Sequence, residues 1–130
     1  LNICEVNKNK ITLSSAAMPP VYLYNSKSKK TEEILIRGLP LGGLKNETFD
    51  IQKRGFNKGD VLVMLSDGLP EAENSHGELY DYDRVLNLIT KFSQSSSEEI
   101  RDKLISEVDR WLEGCVPDDD VTIVVIKKNS

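Results

Sequence analysis

The stretch VLVMLSDGLPEAENSHGELY, Val61 to Tyr80, decides how the chain is read. Five apolar residues, Val61 to Leu65, run without a polar interruption. A run this short and this β-branched predicts a central strand buried on both faces. It ends in Ser66-Asp67-Gly68, and two more acids, Glu71 and Glu73, follow. An Asp-Gly after a strand is ordinarily a turn. It is also a way to display a carboxylate at the end of a rigid element.

Working outward, the first half reads as β-structure. LNICEV and KITLSS flank the turn NKN as a hairpin. Pro19-Pro20 interrupts the ladder, VYLYN resumes it, SKSKK turns, and TEEILI returns. RGLPLGGLKNE is too rich in Gly and Pro for helix or strand. TFDIQK alternates Phe49, Ile51 and Lys53 with polar neighbours, the pattern of a half-buried strand. After Tyr80 the period changes. Val85, Leu88, Ile89 and Phe92 form one helical stripe. Ser96 and Glu99 form a capping box for a second helix. Its apolar face is Ile100, Leu104, Val108, Trp111 and Leu112, and Gly114 is placed to end it. VTIVVI closes the chain as a strand. The fold class expected is α+β: antiparallel strands, two helices on one face, then a last strand.

Asp118, Asp119 and Asp120 precede that last strand. If it lies antiparallel beside Val61–Leu65, the end of one strand adjoins the start of the other. Asp67 then meets the triplet at one rim. Gathered carboxylates repel unless a cation sits among them. Mg²⁺ and Mn²⁺ suit such a site, because they take oxygen ligands and need only one or two carboxylates each. Gly68 lets the chain turn away sharply. The competing view is a turn residue and a solvated acidic run, and spacing alone leaves both open.

Length and composition bound the rest. The 130 residues suit one domain. Hydrophobic residues are 38% and charged residues 29%, the balance of a globular chain. No apolar run approaches the ~20 residues of a membrane span. Leu1 opens without a leader pattern, and the missing methionine suggests an excised domain. A net charge of −4 argues against nucleic acid, whose phosphates need concentrated Lys and Arg. Lys27, Lys29 and Lys30 cluster, but Glu32 and Glu33 follow at once, as in a solvated turn. Cys4 and Cys115 make neither a disulfide framework nor a zinc site. Both are expected reduced and at least partly buried, as in a cytoplasmic protein.

Four segments, PPVYLYN, GLPLGGL, GDVLVMLSDGLPEAENSHGELY and DDDVTIVVI, in this order resemble the C-terminal part of the metal-dependent (PPM, protein phosphatase 2C-like) serine/threonine phosphatases. The branch is the bacterial one related to SpoIIE and to the stress-regulator phosphatases. The resemblance implies a β-sandwich with flanking helices, holding two Mn²⁺ or Mg²⁺ ions at one end. It implies hydrolysis of phosphoserine or phosphothreonine by metal-activated water. By motif, Asp67 and Asp119 are the expected metal ligands. Gly68 and Asp120 shape their surroundings, and Glu71 is exposed or docks substrate. The implied partner is a phosphorylated regulatory protein, such as an anti-sigma-factor antagonist.

The chain departs from that pattern in two places. The aspartate motifs that complete the binuclear centre do not occur after Leu1, and Ala16-Ala17-Met18 stands where the branch has Ala-Gly-His. Residues 1–130 are therefore expected to be the C-terminal portion of a larger phosphatase domain and inactive alone. The rival function is a non-catalytic PPM-like binding module. A haloacid-dehalogenase-type hydrolase would need an aspartate where Leu65 stands, and is set aside. The sheet edges left open are expected to pair as a dimer. His76, the sole histidine, is a loop residue with nothing to place it near Asp67. Trp111, Tyr80 and Tyr82 are expected to pack, and Ser95 to Ser97 to cap a helix.

Overall fold

The computed structural model describes all 130 residues. The elements in chain order are β1 (Asn2–Asn7), β2 (Lys10–Ser15), β3 (Val21–Asn25), β4 (Lys30–Ile34), β5 (Ile51–Gly55), β6 (Val61–Leu65), α1 (Tyr82–Phe92), α2 (Ser97–Leu112) and β7 (Ile123–Lys127). One sheet has the order β1-β2-β5 and the other β4-β3-β6-β7, with every pairing antiparallel. The helices lie on the outer side of the four-stranded sheet, as the α+β pattern predicts. No helix is long and apolar enough to cross a membrane.

The alternation of β3 and β6 explains the two-layered core. Tyr22 and Tyr24 of β3, with Val61, Val63 and Leu65 of β6, face the helices. Val21 and Leu23, with Leu62, face the other sheet, where Ile11, Leu13 and Phe56 meet them. Both central strands are thus covered on both faces, which is why they read as unbroken apolar runs. Each aliphatic side chain so buried contributes roughly 1.5–3 kcal/mol.

The helices form as their sequences require. Val85 and Ile89 of α1 and Ile100, Leu104, Val108 and Leu112 of α2 are buried. The Ser96–Glu99 capping box is present in both directions. Lys127 Nζ donates to the carbonyls of Ser93 (2.9 Å) and Ser95 (2.7 Å). This ties the α1–α2 connection to β7 and covers carbonyls left over at the end of α1.

Three expectations need correction. β4 ends at Ile34, although Ile36 beyond it is still buried. β5 begins at Ile51 and shows the opposite face to the one expected: Ile51 is 63% exposed and Lys53 exposed, while Gln52 and Arg54 turn inward. The register explains it, since Leu13 pairs with Gln52 and Ile11 with Arg54. Arg54 then reaches Glu32 on β4 at 3.1 Å, so an ion pair closes the sandwich at this edge. α2 ends in the left-handed region at Gly114 (φ 91°) as expected, and Glu113 before it (φ 51°) already lies there. Cys115 is exposed, because it follows the helix into a segment with no core residues, whereas Cys4 is partly buried as expected.

Candidate metal centre

β6 and β7 pair with Leu65 opposite Ile123. One step further, Ser66 N donates to the Thr122 carbonyl at 3.0 Å. The Ser66 hydroxyl donates to the Asp120 carbonyl and accepts from Thr122 N, each at 2.9 Å. The end of β6 is therefore stitched to the start of β7 by backbone and side chain together. Ser66 was not singled out from the sequence, and its only signal there is its place in Ser-Asp-Gly.

Gly68 explains how close the two segments come. It is buried, and a Cβ placed on it would lie 2.6 Å from the Asp120 carbonyl oxygen and 3.1 Å from that of Asp119. Any side chain would push the Asp118–Asp120 segment away. Gly68 does lie in a turn, but its φ is not positive, so close approach rather than backbone freedom is what calls for glycine here. The Asp67–Gly68 turn and the acidic triplet are thus packed against each other across more than 50 residues of chain.

The side chains at this rim are open. Asp67, Asp118, Asp119 and Asp120 are all exposed. Asp119 Oδ1 accepts from Asp120 N at 2.7 Å, which orients that carboxylate. The donor set is hard carboxylate oxygen on a preorganised backbone, which suits Mg²⁺ or Mn²⁺. It is not a closed cage: no three His, Cys, Asp or Glu side chains come close enough together to hold a metal ion. The residues present fit one side of such a centre.

A second group of residues borders the rim. Tyr82, at the start of α1, donates its hydroxyl to Glu71 Oε1 at 3.2 Å. Burial, then the Glu71 carboxylate by charge and hydrogen bond, then the Asp67 and Glu33 charges push the Tyr82 phenol up to about 12. Tyr82 therefore packs, as expected, but within the field of Asp67. Glu71 is exposed. His76 lies elsewhere, its Nδ1 3.3 Å from the Ser75 hydroxyl in the wall of the α1–α2 groove.

The family model for Stage II sporulation protein E matches residues 1–129. The chain belongs to the SpoIIE family. The phosphoserine phosphatase RsbU of Bacillus subtilis is 28% identical over 127 residues, which is 95% of this SpoIIE-family chain and 36% of RsbU. Protein IcfG of Synechocystis sp. is 24% identical over 127 residues, 98% of this chain and 20% of IcfG. The chain thus spans about a third or less of the curated relatives it matches. Among solved structures, the phosphatase domain of SpoIIE from Bacillus subtilis superposes with a TM-score of 0.75 at 19% identity, covering 99% of this chain and 56% of that one. That likeness establishes the sandwich fold.

Proposed function

We propose that this SpoIIE-family chain is the C-terminal portion of a metal-dependent protein serine/threonine phosphatase domain. Asp67 and Asp119 are its metal ligands, and Gly68 and Asp120 set their approach. The observation that carries this reading is the contact of Gly68 with the Asp119 and Asp120 carbonyls, which leaves room for no side chain between the two acidic turns. Two Mn²⁺ or Mg²⁺ ions are expected in the complete domain. Bound there, the metal supplies a water acidic enough to attack phosphorus near neutral pH. The chain's own part is positional. Ser66 pins the two turns together, Asp119 is oriented by the Asp120 amide, and Asp67 presents its carboxylate just past the end of a buried central strand.

The remaining donors belong to strands outside these 130 residues. β1 and β7 each have one unpaired edge. A cleft of about 290 Å³ beside Ser66 is lined by Leu1, Met18, Met64 and Val124. Both features support completion of the sandwich by further strands, or pairing of two copies when those strands are absent. Met18, where the branch has a histidine, lies in this cleft. The name of the phosphoserine phosphatase RsbU supports phosphoserine as the substrate, a phosphorylated regulatory protein is its expected carrier, and the free cysteines suit a cytoplasmic setting.

The test is hydrolysis of a phosphoserine peptide by the complete domain with Mn²⁺. Asp67→Asn is expected to abolish most of it, and wild-type turnover by that variant would refute the assignment. A complete domain that binds a phosphorylated partner yet releases no phosphate would instead establish the binding-module reading. The 130-residue chain alone is expected to be inactive and to dimerise, and a monomer by light scattering would count against the edge-pairing part.

A further inference from the structure

A groove of about 580 Å³ has no part in the acidic rim. It runs between α1 and α2 and is closed at one end by the 74–80 loop. Its floor is aromatic. Trp111 packs edge-on against Tyr80, with ring centres 5.9 Å apart at 77°, and its Nε1 donates to the Glu78 carbonyl at 3.2 Å. The Arg84 guanidinium lies over the indole, with Cζ 4.3 Å from the ring centre.

The acids in the lining are already engaged. Glu107 pairs with Arg110 at 2.5 Å, Glu78 accepts from Asn74 at 3.2 Å, and Glu113 accepts from Ser75 at 3.1 Å. Two cations are not. The three ion pairs of the chain are Arg54–Glu32, Arg101–Asp102 and Arg110–Glu107, so Arg84 and Lys91 belong to none. Both rest instead on aromatic faces, Lys91 with its Nζ 5.2 Å from the Phe92 ring centre. A guanidinium stacked by its face keeps its edge N–H donors free, and those form the fork that matches a carboxylate.

Their spacing defines a partner. Arg84, Asn87, Leu88 and Lys91 fall at i, i+3, i+4 and i+7 and all line the groove. Two cations about 10.5 Å apart along the helix flank an amide and a half-buried leucine. We propose that this groove docks an acidic amphipathic helix of a partner protein, presenting two carboxylates seven residues apart with an apolar side chain between them. The carboxylates meet Arg84 and Lys91, the apolar side chain meets Leu88 and Trp111, and Glu78 and Glu113, which keep their charge because Asn74 and Ser75 are neutral donors, repel acids placed elsewhere. Trp and Arg at the centre of a groove are the residue types that dominate binding energy at interfaces.

Trp111 is the only tryptophan, so its emission reports this groove directly. The probe is a synthetic helical peptide carrying two glutamates seven residues apart with leucine midway, titrated into the full chain. The control carries lysines in place of those glutamates. A saturable change in Trp111 emission is expected with the glutamate peptide alone, weakening as salt is raised. Lys91→Glu, which leaves the Arg84–Trp111 stack intact, is expected to weaken it by about tenfold or more. Arg84→Ala is expected to do the same, with circular dichroism confirming that α1 persists. No saturable change, equal binding of the lysine peptide, or undiminished binding by Lys91→Glu would each overturn the proposal.

Discussion

Strand β6 has an aspartate at each end, and the two are treated in opposite ways. Asp60, before Val61, is 1% exposed. Its Oδ1 accepts from Ser26 N and the Ser26 hydroxyl, both at 2.8 Å, and its Oδ2 accepts from Asn57 N at 2.7 Å. Both oxygens are consumed in closing the β3–β4 and β5–β6 turns against each other. Asp67, after Leu65, is exposed, and the acceptor the fold uses there is its backbone carbonyl, which takes Glu71 N at 2.9 Å. A buried carboxylate saturated by internal donors is structural, because nothing is left for a ligand. An exposed carboxylate on a fixed backbone is available to one. The same residue type on the same strand therefore takes its role from which donors surround it.

Exchanging the two roles gives the largest effects. In the complete domain Asp67→Asn is expected to lower phosphatase activity about 100-fold or more, since even outer-shell changes at metal sites cost 10–100-fold. Its stability should stay within about 0.5 kcal/mol of the parent, as for other exposed positions. Asp60→Ala should do the reverse. It orphans the backbone N–H groups of Ser26 and Asn57, while the Ser26 hydroxyl keeps the Lys58 carbonyl, so a loss of about 3 kcal/mol is expected in urea unfolding. If Asp67→Asn destabilises as much as Asp60→Ala, Asp67 is a structural residue too and the contrast collapses.

Gly68→Ala comes next, because it tests the packing that brings Asp67 to the acidic triplet. A methyl group 2.6 Å from a backbone carbonyl oxygen cannot be absorbed by a side-chain rotation. The Asp119–Asp120 backbone must move, at a cost of about 1–3 kcal/mol. Activity should fall further than stability alone explains, with a raised Mn²⁺ requirement. A variant with unchanged metal dependence would show that the distance between the two turns does not matter.

How much of this was legible in sequence follows from how local each cause is. β6, the helical stripes and the Ser96–Glu99 box were readable, because period and caps are set by neighbours within a turn or two. The adjacency of the Asp67–Gly68 turn and the Asp118–Asp120 segment needed only one assumption, that β6 and β7 pair antiparallel, and they do. The inward side of β5 was not readable. Alternation marks two faces without saying which is inner, and Arg54 turns inward because Glu32, on another sheet, awaits it. The reason for glycine at 68 was hidden likewise, since the atoms it must avoid lie some 50 residues later. The docking groove was invisible for the same reason: Trp111 read as core, and only the fold places Arg84 over it.

The smallest effect is also the most direct measure of the difference between the two aspartates. Tyrosine in an unfolded chain titrates near 10. In the fold, Tyr82 is held up to about 12 by burial, by Glu71 and by the Asp67 charge, and burial also raises Tyr22. A phenol whose pKa is raised by folding favours the folded state fully below pH 10. That contribution is lost as pH climbs from about 10 through about 12, because the unfolded chain gives up its proton first. Tyr82→Phe is accordingly expected to flatten part of the alkaline decline in stability while leaving neutral pH almost unchanged. Asp67→Asn removes one of the charges acting on Tyr82 and should move its phenolate absorbance transition to lower pH. Asp60→Asn, at the far end of β6, should leave that transition where it is. Equal shifts from both substitutions would mean that Tyr82 senses the net charge of the molecule rather than the rim, and the assignment of Tyr82 to the surroundings of Asp67 would fail.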